Sequence, residues 1–250
     1  MSIKASGAKY DIFTKIALIL VIFIIGFLII LPLINILIYS TQPSGSAIIT
    51  GSFSDVVTRN IIWNTVKLGL TVAALGTVLG FIMAYTQARV EFRGKKILHI
   101  INLIPIISPP FAFATAIIVL FGRSGMITRG VFDWRPTLYG FPGLVLVLTL
   151  SFFPIAYMNL LGMLRSLDPA LDEAGSSLGA NKARIFRTVT LPLLIPGFAG
   201  SFLLLFIESI ADLANPIIIG GNYTVLASRA YMAINGDYDI SLAAGYSSLL

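Results

Sequence analysis

Two carboxylates, Glu208 and Asp212, stand four residues apart in an otherwise apolar run, a spacing that puts them on one face of a helix. Ionisable groups are costly in such a run, so the pair raises two chemistries: attraction of a cationic substrate, or carriage of a proton or cation by an ion-coupled secondary transporter. A third reading ends the helix near Asn215-Pro216 and leaves both acids hydrated at the membrane surface. Other reactive groups are few. His99 is the only histidine, has no His or Glu neighbour at metal-ligand spacing, and reads as a solvated residue at a helix end beside a basic loop. The absence of cysteine removes disulfides, thiolate metal sites and cysteine nucleophiles. No Gly-rich loop ends in Lys-Ser or Lys-Thr, so the chain carries no phosphate cradle of its own. Neither catalysis nor a metal site is expected in these residues.

The elements that must position the carboxylates are membrane spans. With 57% hydrophobic and 11% charged residues and a mean hydropathy of +0.93, the chain has too little polar surface for a soluble globule of 250 residues. An all-α polytopic membrane protein is expected, bathed in lipid. The net charge of +6 does not indicate nucleic acid, because the basic residues are dispersed among apolar runs. Spans are expected over 16–38, 61–85, 97–121, 141–164 and 191–214, with a sixth apolar run opening at Ile240. Residues 41–60 read as a polar loop between the first two. A signal peptide is the rival reading of the first run, but it would be shorter and end at a small-residue cleavage site. Gly69, Ala73, Gly76, Gly80 and Ala84 form a smooth stripe for close helix packing on the second span. The sixth run crosses only about half a membrane by Leu250, which predicts that the polypeptide continues.

Charge sets the orientation. Lys4, Lys9, Lys15, Arg89, Arg93, Lys95, Lys96, Arg165, Lys182, Arg184 and Arg187 fall on one side, against Arg59, Arg123, Arg129, Arg135 and Arg229 on the other, which places the N terminus in the cytoplasm. In the third span, Pro105, Pro109 and Pro110 with Asn102 and Ser108 must interrupt the backbone ladder near mid-membrane. Such a break either lines a pathway or only improves packing. The candidate pathway residues are therefore Asn102, Ser108, Pro109, Pro110, Glu208 and Asp212.

Between the fourth and fifth spans lies a polar insertion, Asp168 to Pro192. Asp168 and Pro169 open a short helix with Leu171, Ala174, Gly175 and Leu178 on one face, Gly179 supplies a left-handed turn, and Asn181 caps a second helix bearing Lys182, Arg184 and Arg187. Taken alone, such an insertion could merely lie on the membrane surface. Its residues resemble the membrane subunits of binding-protein-dependent ABC importers, whose cytoplasmic loop carries Glu-Ala-Ala, a Gly after three further residues, and Ile-x-Leu-Pro. The matches are Glu173, Ala174, Gly179, Leu191 and Pro192, while Gly175 replaces the second Ala and Val189 the Ile.

The resemblance implies a type I importer transmembrane domain of six spans, here residues 61–250 with the sixth incomplete, preceded over 1–60 by a tail, first span and outer loop. It implies a coupling loop over 165–190 in which Asp172, Glu173, Ala174, Gly175, Gly179, Ala180, Leu191 and Pro192 meet an ATP-hydrolysing subunit. ATP and Mg would belong to a dimer of that subunit. The other partners implied are an extracytoplasmic substrate-binding protein, facing residues 220–239, and a second permease half, duplicate or fused. Residues 211–226 resemble the ferric iron permeases, with polyamine and phosphonate permeases close by. A membrane scaffold without transport is the remaining alternative.

Overall fold

The computed structural model describes residues 12–133 and 138–250. Lys4, Lys9 and Arg135, used above for orientation, lie outside them. All regular structure among the described residues is helical. In chain order the helices are α1 (Ile12–Ile25), α2 (Leu31–Ser40), α3 (Pro43–Gly51), α4 (Val56–Arg89), α5 (Lys95–Ile107), α6 (Pro110–Phe121), α7 (Phe141–Ser166), α8 (Ala170–Ser177), α9 (Lys182–Ile185), α10 (Leu191–Ala211), α11 (Ala214–Ile219), α12 (Leu226–Asn235) and α13 (Ile240–Leu249). Four stretches are long and apolar enough to cross a membrane, Ile12–Ser40, Val56–Arg89, Phe141–Ser166 and Lys182–Ala211.

Two of these stretches contain a π-turn directly before a Leu-Pro pair. Gly26–Ile30 precedes Leu31-Pro32 and Phe186–Thr190 precedes Leu191-Pro192, and in each the Leu N–H reaches back five residues, to the carbonyl of Gly26 or Phe186. Proline lacks an N–H and its ring crowds the carbonyl four residues earlier, so the widened turn absorbs both defects without breaking the helix. The sequence suggested that the fifth span starts at Leu191. Instead α9 runs unbroken into α10.

The third span breaks as expected. Ser108 and Pro109 are extended, with ψ of 140° and 143°. Each precedes a proline, and a residue before proline is pushed out of the helical region by the next ring. Two in succession turn the chain by 109°, far beyond an ordinary proline kink. Pro105 stays inside α5.

The centre of the bundle is α4 packed against α7 and α10. The glycine stripe makes this possible: Gly69 abuts Phe206 and Ile210, Gly76 abuts Leu205, and Gly80 lies against the α7 backbone at Phe153 and Tyr157. Tyr157, Leu160, Leu194 and Leu205 are fully buried between these helices. Asn159 on α7 donates from Nδ2 to the Gly197 carbonyl (3.2 Å) and to Ser201 Oγ (2.9 Å), pinning the middle of α10.

Residues 41–60 are not the loop their polarity suggested. They form α3 and the first turn of α4. A Cβ on Gly45 would fall 2.6 Å from the Ser241 carbonyl, and Ser241 Oγ accepts from Gly45 N–H while donating to the Tyr39 carbonyl. Packing on α13 thus holds a Gly- and Ser-rich segment in helix that propensity alone would leave as loop.

Asp55 caps α4, accepting from the Thr58 N–H and hydroxyl at 2.8 and 2.7 Å. These bonds, the backbone one foremost, hold its carboxyl below the usual carboxylate range. A lowered folded pKa contributes stability that is present above the unfolded value, about 3.9, and is lost as pH falls through the folded value. Asp55→Ala should therefore lower the thermal midpoint in detergent at pH 7, with the gap to wild type closing below about pH 4. A gap independent of pH would show that the carboxylate is not the stabilising group.

Candidate functional site

The insertion from Asp168 to Asn181 is built as its local signals specify. Asp168 Oδ1 accepts from the Ala170 N–H at 2.9 Å, opening α8. At the other end the Ala180 N–H reaches the Gly175 carbonyl and the Gly179 N–H the Ser176 carbonyl, while Gly179 sits at φ +80°. This paired 6→1 and 5→2 closure is the Schellman arrangement, which satisfies the last carbonyls and needs a left-handed residue. Asn181 Oδ1 then accepts from the Arg184 N–H at 2.9 Å and starts α9.

The faces of α8 differ in their surroundings. Gly175 turns inward, where a Cβ would lie 2.9 Å from Ile185 Cγ1, so the α8–α9 contact leaves no room for the alanine that the resemblance expects. It therefore does not share an exposed face with Leu171, Ala174 and Leu178. Those three stay exposed, Leu178 at 88%, alongside Glu173. Asp172 is turned back and pairs with Arg89 at the end of α4. Ala180 is half-buried, while Leu191 and Pro192 are exposed and follow the π-turn that accommodates the proline.

Behind α8, Ile185 and Phe186 connect the insertion to the bundle. Phe186 stacks edge-on against Tyr85 at 5.4 Å, and Phe81 joins Tyr85, Phe186 and Phe198. The aromatic group ties α4, the π-turn and α10 together.

The pathway candidates do not form one cluster. Ser108 and Pro109 line a mostly apolar cavity of about 350 Å³ with Ser151, Phe152, Met158 and Asn215. Glu208 and Asp212 line a second cavity of about 320 Å³, which shares Phe152. Pro110 enters only as the first residue of α6. Asn102 is elsewhere, buried near Tyr157, and its Nδ2 has no partner. The two carboxylates are not a helical i,i+4 pair, since α10 ends at Ala211 and Asp212 is extended. Asp212 Oδ2 instead accepts from the Asn215 N–H (3.1 Å) and Nδ2 (2.9 Å), capping α11, whose third residue is Pro216. Pro216 thus begins a helix where the sequence suggested that it ends one.

Glu208 remains exposed on α10 beside Leu203, Leu204 and Ile207. A carboxylate on an apolar face requires water or protein cover. Sequence reasoning missed Asn215, 1% exposed with its Oδ1 unpaired, and Ser151, whose Oγ is also unpaired. It also misplaced His99, which is half-buried with Nδ1 2.6 Å from the Tyr157 hydroxyl. Among the described residues no three His, Asp or Glu gather closely enough to hold a metal ion.

Comparison with known proteins agrees with this architecture. The putative ferric transport system permease protein FbpB 1 of Haemophilus influenzae is 33% identical over 254 residues, covering 98% of this chain and 40% of that protein. The ferric transport system permease protein FbpB of Actinobacillus pleuropneumoniae is likewise 33% identical, over 98% of this chain and 36% of its own length. The chain thus spans about two fifths of the length of these relatives. A crystal structure of a bacterial alginate ABC transporter, in complex with alginate pentasaccharide-bound periplasmic protein, superposes with a TM-score of 0.77 at 18% identity, covering 94% of this chain and 88% of that one. It shares the fold. The model of the binding-protein-dependent transport system inner membrane component matches residues 76–250, which contain the capped insertion, the broken third span and the later part of the glycine stripe, and the chain therefore belongs to that family of membrane permeases.

Proposed function

We propose that this chain forms one half of the translocation pathway of an importer for ferric iron and is driven by a separate cytoplasmic ATPase dimer that carries ATP and Mg. The observation that carries this reading is α8: a capped, Schellman-closed helix that exposes Leu171, Ala174 and Leu178 beside Glu173 and leads through an unbroken helix into α10. Such a face is shaped for a protein cleft. The basic residues near it, Arg89, Lys95, Lys96, Lys182, Arg184 and Arg187, support a cytoplasmic position for that end and for the N terminus.

At the opposite end, residues 220–239 face a substrate-loaded binding protein. The insertion motif occurs once, so a second half comes from another copy or a fused segment and covers Glu208. ATP-driven closure of the partner moves α8, and the helices pivot to exchange inner and outer openings. The oxygen groups of Ser108, Ser151, Glu208, Asp212 and Asn215 suit passage of a hard cation, and the names of the relatives support iron over a polyamine or phosphonate cargo. The capping role of Asp212 weighs against an ion-coupled carrier built on the two acids.

The test is ATP hydrolysis by the reconstituted complex, with binding protein loaded with ferric iron, empty, or offered a polyamine. Stimulation by the iron-loaded form alone is expected. Stimulation by another ligand alone discards iron, and the absence of any associated ATPase overturns the importer reading.

A further inference from the structure

The Arg89–Asp172 pair joins residues 83 apart in sequence, whereas the other two described ion pairs, Lys95–Glu91 and Arg229–Asp237, lie within eight. It links the last turn of α4 to the first turn of α8. Behind it lies a cavity of about 310 Å³ lined by Tyr85, Ser176, Lys182 and Phe186, so α8 is undercut rather than packed solidly on the bundle. Both side chains are about one-third exposed, at 31% and 36%. A pair of that exposure adds little to folding stability, and its consequence is geometric: it fixes where α8 stands relative to α4.

Toward its other end, in the third turn, α4 is fastened too. Asn64 Nδ2 donates to the Thr224 carbonyl, the Tyr223 hydroxyl donates to the Asn64 carbonyl, and the buried Leu226 N–H donates to Thr65 Oγ1, at 3.2, 2.9 and 2.9 Å. These bonds hold the segment that leads into α12. From Thr65 to Arg89 the helix rises about 36 Å, pressed against α7 and α10 along the glycine stripe.

We propose that α4 is a rod clamped at both ends, and that Arg89 is a positioning residue which makes the height of α8 depend on the state of the 223–226 segment. The inference rests on the reading that α8 docks on an ATPase and that residues 220–239 face a binding protein. Occupancy at the far end then reaches the ATPase along α4, in parallel with α10. Without the clamp, α8 moves over its cavity independently of α4.

The experiment compares wild type with Arg89→Asp, Arg89→Lys and the exchanged pair Arg89→Asp with Asp172→Arg, each reconstituted with its ATPase and binding protein. The readout is the ratio of ATP hydrolysis with loaded binding protein to hydrolysis without it, and co-purification of the ATPase checks assembly. Arg89→Asp is expected to lower the ratio about two- to fivefold, with recovery in Arg89→Lys and in the exchanged pair. A wild-type ratio in Arg89→Asp overturns the clamp, as does an exchanged pair and Arg89→Lys that both remain at the Arg89→Asp level. Gly179→Val separates the two readings. If it lowers the ratio while Arg89→Asp does not, the clamp alone falls, and if neither does, the docking reading falls with it.

Discussion

Replacing Gly179 with Val is expected to lower substrate uptake on the order of tenfold or more while leaving the membrane-spanning bundle folded. The position combines φ +80° with two closing hydrogen bonds, and a β-branched residue is the least able to adopt that conformation. Nothing lies within 4 Å of a Cβ built there, so the cost is backbone strain and not a clash. To relieve it, the turn between α8 and α9 must open, and the orientation of Leu171, Ala174 and Leu178 is then lost. Gly179→Asn is the discriminating control, because asparagine tolerates the left-handed region and should retain most of the uptake. Equal uptake in Gly179→Val and wild type would show that the fixed turn has no part in coupling.

Gly80→Ala is expected to produce a large loss of stability from a single methyl at the centre of the bundle. That carbon would lie 2.7 Å from Ala156 Cβ, 2.8 Å from the Tyr157 nitrogen and 2.9 Å from the Phe153 carbonyl oxygen. Two of the three are backbone atoms of α7, so relief requires separation of α4 from α7 at the centre of the bundle. Overpacking of this kind costs about 1–3 kcal/mol, or several degrees in the thermal midpoint measured in detergent. Gly162→Ala is the reference, since no atom lies within 4 Å of its Cβ, and there the change should be neutral or stabilising by up to about 1 kcal/mol. Similar midpoints for the two variants would contradict close packing along the stripe.

What could be read from the sequence divides along the range of the interactions involved. The insertion was legible because Asp168, Gly179 and Asn181 act on backbone groups within two to five residues, and the break of the third span because Ser108-Pro109-Pro110 is settled by adjacent rings. The glycine stripe announced a close approach but not its partners. Where the outcome depended on distant residues, local signals misled. Gly45 and its neighbours favour a loop until Ser241 and α13 hold them in helix. Asn215-Pro216 looked like a stop, yet Asp212 turns it into the first turn of α11. Leu191-Pro192 looked like a fresh start, and a π-turn made it a continuation. Arg89 could be seen as one basic residue among several, but its acidic partner lies 83 positions away and no local pattern names it.

That continuation has a mechanical meaning. The helix from Lys182 to Ala211 is held near its middle by Asn159, whose amide grips the Gly197 carbonyl and the Ser201 hydroxyl. If the helix moves as one piece, that grip acts as its fulcrum. At a rise of about 1.5 Å per residue, the arm from that pivot to Lys182 is about 25 Å and the arm to Ala211 about 18 Å. Rigid tilting about the pivot moves the two ends in opposite senses, with about 0.7 Å at the Ala211 end for each ångström at the Lys182 end. In the alternating-access cycle proposed above, a push that narrows one mouth would thereby widen the other, with no separate device to reverse the sign.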